Sequence, residues 1–446
     1  PGTDLVVALA IIHFWNQQGC LDLNFLDQYA DGLEPLLEKA ARYSLERAAE
    51  IARISAGDLK KLALKYAELN PAVIRMGWGP ERNVNGGQAT AAVLAMPALL
   101  GKFGVRGGGY TLSNSNAAKI DSNKLVDSLP WNTREINMNL LGRVLLEENN
   151  PPVKALFVYN CNPAATMPNQ TAVLQGLARE DLFTVVFEQV MTDTARYADV
   201  LLPAVTFLEQ EEIKKSYGSY VLQYIAPVIE ACGEAKPNEQ VFAMLGRAMG
   251  FTDQAFQEGT EDYLRRASEA IRGLGKTVTL EELRAKRLLF YDFPGATPIQ
   301  FQTTHSWTAD GKIHLTPSTL GDNPYEYIET TSPYPLALIS PATNKTISST
   351  MGEYNLPELF VSLHPADAAA RGLSQGAKVR VYNEFGEVHC RLRIRNEVRA
   401  GVAVLPKGAW RKASLNGFTA TALAPDTLGT AGGACFNDAR VEIAAL

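Results

Sequence analysis

Residues 182–203 read LFTVVFEQVMTDTARYADVLLP, and this stretch indicates the fold of the chain. Its first six residues are almost all apolar, which is typical of a strand buried in a parallel sheet. Such a strand places Glu188, Thr192 and Asp193 just past its carboxyl end, where open α/β sheets bind ligands. The alternative is an ordinary helix N-terminus, with Thr192 as N-cap and Asp193 favoured by the helix dipole. These residues by themselves favour the helix N-terminus, so the evidence for a ligand site must come from other segments.

Two strand–turn–helix units lie upstream in the chain. The first consists of a strand at 72–76, a glycine-rich turn at 77–87 and a helix at 88–100. The second consists of a strand at 155–159, a turn at 160–168 and a helix at 169–178. Strands that alternate with helices in this way predict α/β architecture with a doubly wound parallel sheet.

The remaining segments have other patterns. Helical periodicity dominates residues 4–66 and 231–287, and Asp310-Gly311 predicts a hairpin between 306–308 and 312–315. After Pro333 the pattern changes to short β-rich runs, which predict a small barrel. We therefore predict a first α/β domain at 1–109, a second at 110–230, a helical and irregular connection at 231–332 and a β-barrel at 333–446.

The composition excludes several classes of protein. The chain has 446 residues, of which 46% are hydrophobic and 20% charged, so it is long enough for about three globular domains. A net charge of −6 without a basic run argues against binding to nucleic acid or to an anionic membrane surface. No apolar stretch reaches the roughly 18 residues that a membrane span requires.

The five cysteines give no metal site. Cys20, Cys161, Cys232, Cys390 and Cys435 are scattered without a C-x-x-C pair, so their spacing predicts neither a zinc site nor an iron–sulfur cluster in this chain. Because Pro1 leads directly into a helical pattern, we expect an upstream segment. Any signal peptide would lie there, which leaves the compartment open between the cytoplasm, which is weakly favoured, and the periplasm.

Ordered motifs carry a family resemblance. They are Pro1 to Asp4, Met76 to Gly79, Gly104 to Gly109, Asn160 to Pro163, Met191 to Pro203, Gly311 to Ile313, His364 to Asp367 with Gly372 to Ala377, and Gly432 to Asn437. In this order they resemble the dimethyl sulfoxide reductase superfamily of bis-molybdopterin oxidoreductases. The resemblance implies two Rossmann-like doubly wound domains and a C-terminal double-psi β-barrel. It also implies molybdenum or tungsten held by two molybdopterin guanine dinucleotides.

The resemblance assigns residues to this cofactor. Contacts to one guanine nucleotide are expected from Pro1, Gly2 and Asp4, and contacts near the pterins from Met76, Gly77 and Trp78. The second nucleotide is expected to contact Asn160, Asn162, Pro163, Glu188 and Thr192. A guanine base presents two adjacent N–H donors, which a carboxylate accepts as a pair, so Asp4 and Glu188 are the candidates for base recognition.

Further positions match the barrel and the substrate funnel. Ser340, Asn344 and Ser349 resemble a loop that binds a pterin phosphate and ring, and Asn437 matches another pterin contact. Serine and threonine between strands also satisfy turn backbone, so an ordinary structural role is equally favoured there. Arg106, Tyr110 and Asn114 are the candidates for lining the substrate funnel.

The resemblance implies two-electron or oxygen-atom transfer on a small-molecule substrate, with an iron–sulfur electron-transfer subunit as a candidate partner. The metal's protein ligand and a 4Fe–4S cluster would lie upstream, so the chain alone is expected to be inactive. A formate dehydrogenase-type enzyme stays open, although Arg106 lies one position later than the family's arginine. So does a non-catalytic scaffold like the large subunit of respiratory complex I. A nicotinamide dehydrogenase is disfavoured because Gly77 to Arg82 lacks the third glycine of G-x-G-x-x-G.

Overall fold

A computed structural model describes residues 1–112, 119–121, 124–125, 132–216, 220–272, 277–290, 298–306, 308–354 and 358–446. The helices of these residues are α1 (Asp4–Gln17), α2 (Leu23–Tyr29), α3 (Leu33–Ala40), α4 (Leu45–Ala52), α5 (Ala56–Glu68), α6 (Gly86–Leu99), α7 (Leu141–Glu147), α8 (Pro163–Thr166), α9 (Gln170–Leu177), α10 (Asn238–Ala248), α11 (Thr260–Glu269), α12 (Leu280–Lys286) and α13 (Pro365–Ala369).

The strands form six sheets within the described residues. They are β1 (Ala30–Asp31), β2 (Val73–Arg75), β3 (Gly109–Thr111), β4 (Lys119–Ile120), β5 (Ala155–Tyr159), β6 (Phe183–Glu188), β7 (Val200–Pro203), β8 (Glu212–Lys215), β9 (Val221–Ile225), β10 (Ile271–Arg272), β11 (Leu288–Phe290), β12 (Ile313–His314), β13 (Leu336–Ile339), β14 (Phe360–Leu363), β15 (Lys378–Tyr382), β16 (Glu387–Ile394), β17 (Val402–Val404) and β18 (Arg440–Ala445).

The amino-terminal helices share one hydrophobic core. Helix α1 is apolar around most of its circumference and is therefore buried on most sides, by α3 to α6. Its Trp15 is fully buried and donates from Nε1 to the carbonyl of Ala63 at 2.9 Å. The helical pattern of residues 33–54 is divided into α3 and α4, because the Ser44 side chain accepts the N–H of Arg47 and begins a new helix.

Two parallel sheets follow the predicted strand–turn–helix units. Strand β2 pairs with β3, and β6 lies between β5 and β7 with all three strands parallel. The predicted strand at the start of residues 182–203 is thus the central strand of its sheet. In the β5–β6 register Tyr159 lies opposite Phe187, so the turns that follow both strands leave the same edge of the sheet.

The hairpin predicted around Asp310-Gly311 is wrong. A turn does form there, with the N–H of Gly311 donating to the carbonyl of Thr308. Strand β12, however, pairs in parallel with β1, far away in sequence. His314 joins the two strands, with Nδ1 2.8 Å from Asp31 Oδ2 and Nε2 3.5 Å from Asp310 Oδ1. A long-range partner therefore replaced the local one.

The C-terminal region is a closed six-stranded barrel, as the β-rich pattern predicted. Its strand order is β13-β17-β14-β16-β15-β18, and it mixes parallel and antiparallel pairs. Alternate residues of β15 and β16 point into a buried core that includes Val379, Val381 and Leu392. Between the sheets and the barrel, β8, β9 and β11 form an antiparallel sheet beside α11 and α12. No helix of the described residues is long and apolar enough to cross a membrane.

Candidate functional site

The turn after β2 leads from an open segment into a tightly packed one. Met76 is buried and donates its N–H to the carbonyl of Thr111, whereas Gly77 is exposed and 55% of Trp78 is accessible to solvent. A Cβ atom built on Gly77 meets none of the described atoms within 4 Å. A Cβ on Gly86 would lie 2.3 Å from the carbonyl oxygen of Pro80. The fold therefore requires glycine at 86 but not at 77.

Two buried asparagines, which sequence analysis did not single out, hold this turn. Asn83 donates to the carbonyl of Pro80 and accepts the N–H of Asn85. Asn85 donates to the carbonyls of Gly2 and Ile328 and accepts the N–H of Ile328. These bonds bring the start of the chain to the glycine-rich turn. The sequence feature that could have revealed them is the pair of asparagines directly before the helix, where side-chain amides commonly satisfy backbone groups.

The residues at the start of the chain are accessible. Gly2 has a left-handed φ of 79°, and Pro1 and the Asp4 carboxylate are exposed beside it. Asp4 lies in the first turn of α1, where a carboxylate also stabilises the helix dipole. Its position is thus consistent both with a ligand contact and with an ordinary helix start.

The turn after β5 contains a left-handed asparagine and a buried amide. Asn160 is exposed with φ of 55°, a conformation that asparagine adopts more readily than other residues with a Cβ. Asn162 is 3% exposed, and its Oδ1 accepts both the N–H and the hydroxyl of Thr194, at 3.1 and 2.7 Å. Its Nδ2 is buried without a hydrogen-bond partner among the described residues. Pro163 follows as the first residue of α8.

The segment after β6 approaches the same turn and the barrel. Burial raises the pKa of Glu188, and the nearby Glu353 carboxylate raises it further, although the N–H of Gln189 donates to Glu188 Oε1. Thr192 accepts the N–H of Ala195, which begins a short 3₁₀ turn rather than the helix considered as an alternative. Asp193 accepts the N–H of Arg411 from a barrel loop at 2.8 Å.

Loops of the barrel face the turns that follow β2 and β5. Ser340 is buried, and Ser348 and Ser349 both have left-handed φ values, of 48° and 69°. The carbonyl of Ser349 accepts the Trp410 indole N–H. Non-glycine residues in this conformation are costly and concentrate at functional sites. Oδ1 of Asn437 is buried and has no partner among the described residues.

The two turns and the barrel loops meet at a cavity of about 200 Å³. The first turn contributes Arg82, and the segment after β5 contributes Thr166 and Met167. Ser340, Lys407 and Phe436 complete much of the barrel side. Of the residues predicted from the sequence, Ser340 lines this cavity, and Asn437 directly follows the lining residue Phe436. Asn162 and Gly77 lie on the same two turns, a few residues before the lining residues Ala165 and Arg82.

Other predicted residues lie elsewhere. Asn344 is exposed and borders a different cavity on the barrel, beside Glu358 and Arg393. Arg106 is exposed, and Tyr110 faces a third cavity of about 630 Å³ that is also lined by Phe301 and His305. Asn114 lies outside the described residues. The substrate-funnel residues are therefore not gathered into one site by the part of the structure that is described.

Two family models match the chain. The family model "Molybdopterin oxidoreductase" matches residues 2–248, and the model "Molydopterin dinucleotide binding domain" matches residues 325–438. The chain belongs to the molybdopterin oxidoreductase family. The second match spans most of the barrel and the loops that carry Ser340, Lys407 and Asn437, and it supports a molybdopterin cofactor for this family member.

Two relatives match this molybdopterin oxidoreductase family member over most of its length. The probable oxidoreductase YoaE of Bacillus subtilis is 35% identical over 99% of this chain and 67% of its own length. The dimethyl sulfoxide reductase DmsA of Haemophilus influenzae is 27% identical over 92% of this chain and 60% of its own length. The chain thus spans about two thirds or less of these relatives.

A solved structure has a similar fold. The acetylene hydratase from Pelobacter acetylenicus superposes with a TM-score of 0.80 at 20% identity, over 100% of this chain and 70% of that one. This likeness supports the mixed α/β fold with its barrel, but a shared fold does not fix the reaction.

The cleft residues fit a molybdopterin group. A pterin ring carries both N–H donors and carbonyl or ring-nitrogen acceptors. The cleft segments carry an unpaired buried donor on Asn162, an unpaired buried donor on Arg82 and an unpaired buried acceptor on Asn437. Buried polar atoms are rarely left without partners, because each lost hydrogen bond costs about 1–3 kcal/mol. A polar ligand with both kinds of group would satisfy them.

Proposed function

We propose that this chain is the cofactor-holding portion of a molybdopterin-dependent oxidoreductase, with molybdenum or tungsten between two pterin guanine dinucleotides. The single observation that carries the proposal is the cleft where two strand–turn–helix units meet the barrel, with unpaired buried groups of Arg82, Asn162 and Asn437 on its segments. When bound, the metal centre supplies two-electron or oxygen-atom transfer. The chain's own residues bind and orient the cofactor.

Each of the two dinucleotides is proposed to bind at one of the two strand–turn–helix units. One guanine nucleotide would lie at Pro1, Gly2 and Asp4, which Asn85 ties to the first turn. The second would lie at the carboxyl ends of β5 and β6, beside Asn160 and Glu188. Each turn also contacts its own barrel loop, since Asp438 accepts the N–H of Val84 and Asp193 accepts the N–H of Arg411. The barrel can therefore hold both units in a fixed relation.

Glycine at position 77 supports a close approach of the pterins. Nothing in the described fold prevents a larger residue there, and glycine costs conformational entropy when the chain folds. A ligand that packs directly against the backbone explains the glycine, because a side chain at this position would collide with the ligand. The proposal also places the metal's protein ligand and a 4Fe–4S cluster outside these 446 residues.

Metal and pterin analysis tests the function. Protein produced in a host with intact molybdopterin synthesis is analysed for metals by mass spectrometry and for pterin by fluorescence after oxidative release. We expect one molybdenum or tungsten and two pterins per chain. One pterin per chain would contradict the double dinucleotide. Neither metal nor pterin would favour the scaffold that resembles the large subunit of complex I.

Glu188→Gln is expected to stabilise the cofactor-free chain while weakening nucleotide binding. Burial raises the pKa of Glu188, so the folded state holds the proton more tightly than the unfolded state and loses stability as pH rises through that pKa. Glutamine removes this loss. The variant should melt at higher temperature than the parent near pH 7, and the difference should vanish well below pH 4.5. Thermal melts from pH 3.5 to 8 measure it.

In the loaded protein the same variant should contain less guanine nucleotide, because a glutamine oxygen accepts only one of the two guanine N–H groups in this geometry. Glu353→Gln is the matched control. It removes a neighbouring charge that raises the pKa of Glu188, but it keeps the Glu188 carboxylate. Guanine released on denaturation is quantified by chromatography. Equal guanine content in parent and Glu188→Gln protein would remove Glu188 from the nucleotide site.

A further inference from the structure

The cleft cavity has an uneven charge distribution. Its lining includes two cationic side chains, Arg82 and Lys407, and no carboxylate. Neither cation forms an ion pair within 4.0 Å in the described part of the chain. The lining also includes the hydroxyl groups of Thr166, Ser340 and Thr421. Every charged side chain that lines this cavity is therefore positive, in a chain whose net charge is −6.

Arg82 is held in place but is not satisfied. Its guanidinium carbon lies over the Phe436 ring, 4.5 Å from the centroid, in a cation–π contact that restrains the group. Its Nη2 is buried and has no partner among the described residues. Burial lowers the pKa of Arg82 from its ordinary value. A rigid, partly desolvated guanidinium with a free N–H edge is suited to oxyanions, which it can bind through two parallel hydrogen bonds.

Lys407 completes the pair. Its backbone N–H donates to the carbonyl of Pro341, which anchors the loop, and its side chain lines the cavity. Burial lowers the pKa of Lys407, and the positive charge of Arg82 lowers it further. The next residue, Gly408, has a left-handed φ of 78°, and a Cβ there would lie 2.8 Å from the backbone nitrogens of Ser348 and Ser349. The backbone of this loop is thus packed closely against Ser348 and Ser349.

Two like charges that are both partly removed from water repel each other and lose hydration, so their placement at one cavity favours a counter-charge between them. We propose that Arg82 and Lys407 form a clamp for an oxyanion of the phosphate class. The Ser340 hydroxyl lines the same cavity as a neutral donor, whereas the hydroxyls of Thr166 and Thr421 already donate to the carbonyls of Asn162 and Ala165. A cavity of this volume holds one or two phosphate groups, and the rest of a larger ligand that carries them would lie outside it, since drug-sized ligands need about 300 Å³ or more.

Two ligands of the same chemistry fit this site. The bound group is either a phosphate of the pterin dinucleotide, which rests on the proposed function, or a free oxyanion that binds beside the cofactor. The proposal of an oxyanion site rests on the geometry of the cavity and does not depend on which of the two ligands binds. Comparing cofactor-free and cofactor-loaded protein distinguishes the two ligands, because a phosphate that belongs to the cofactor blocks the site in the loaded form only.

The test is titration of the full chain with inorganic pyrophosphate at constant ionic strength in chloride, followed by calorimetry and by thermal melting. We expect the cofactor-free chain to bind pyrophosphate and to melt at higher temperature in its presence. Arg82→Gln and Lys407→Gln should each weaken binding at least tenfold. Arg82→Lys should recover part of the affinity, because it keeps the charge but loses the planar fork.

Matched controls separate a site from general charge effects. Arg395→Gln and Lys60→Gln remove the same charges from exposed positions outside the cleft, and they should bind pyrophosphate like the parent. Lys407→Gln should also raise the melting temperature of the anion-free chain, since it removes a half-buried charge that the charge of Arg82 repels. A residue with a merely structural role would instead lower it.

Three outcomes decide the matter. Binding by the cofactor-free chain alone supports the clamp as a phosphate site of the cofactor, and binding by both forms supports a free oxyanion site. Absent binding, or binding that the Arg82 and Lys407 variants leave unchanged, overturns the clamp. If metal and pterin analysis fails while pyrophosphate still binds through these residues, the oxidoreductase proposal falls and the oxyanion site remains.

Discussion

Gly86→Ala is expected to lower the free energy of unfolding of the cofactor-free chain by about 3 kcal/mol. The added Cβ would lie 2.3 Å from the Pro80 oxygen and 2.6 Å from the Glu81 Cα. Both are backbone atoms and cannot rotate away, so the start of α6 must shift from the preceding 3₁₀ turn. Denaturant unfolding followed by circular dichroism gives the difference directly.

Gly77→Ala is the matched control in the same turn. Its Cβ meets no described atom within 4 Å, so the cofactor-free chain should change by no more than about 0.5 kcal/mol. The loaded protein should lose pterin, if Gly77 contacts that group as proposed. A large loss of stability from Gly77→Ala would show that the fold, not the ligand, requires this glycine. Equal stability of parent and Gly86→Ala protein would contradict the packing of the turn.

Asn162→Ala is expected to remove most of the bound pterin and to destabilise the chain by on the order of 2 kcal/mol. The loss of stability follows because Oδ1 of Asn162 accepts two hydrogen bonds from Thr194 in a buried place. The loss of pterin follows because alanine lacks Nδ2, the buried donor without a partner that is proposed to bind the pterin. Pterin per chain and the unfolding midpoint are measured on the same preparations.

Thr194→Val separates these two effects. It removes the hydroxyl that donates to Asn162 and accepts the N–H of Ala164, so it disturbs the same loop by a similar amount. It leaves Nδ2 of Asn162 in place, and the variant should therefore keep its pterin. If both variants lost pterin equally, the effect would be one of loop stability and Asn162 would not be a cofactor contact.

The relatives illustrate why these tests address binding rather than turnover. The matched proteins include a dimethyl sulfoxide reductase, and the matched structure is an acetylene hydratase. Proteins that match this chain in sequence or in fold are thus named for different reactions, so the reaction does not follow from the fold that holds the molybdopterin cofactor. Substitutions in the cleft report on how the chain holds that cofactor, whichever substrate the complete protein uses.

The sequence by itself determined the local elements and the family. Strand β5 and the central strand β6 were predicted within one residue of their ends, because apolar β-branched runs bounded by turn residues have few other structures available. The barrel was predicted from its short alternating strands. Ordered motifs identified the family, since their order over the whole chain is far more specific than any one of them.

Tertiary structure decided which distant segments meet. The β1–β12 pair replaced a predicted hairpin, because pairing partners far apart in sequence leave no periodic signal. The oxyanion clamp joins Arg82 to Lys407, and an isolated arginine or lysine in a sequence resembles any solvated charge. Only burial, the Phe436 ring and the absence of a facing carboxylate in the cavity distinguish them. Charge and packing act through space, so the chain order that revealed the motifs could not reveal this site.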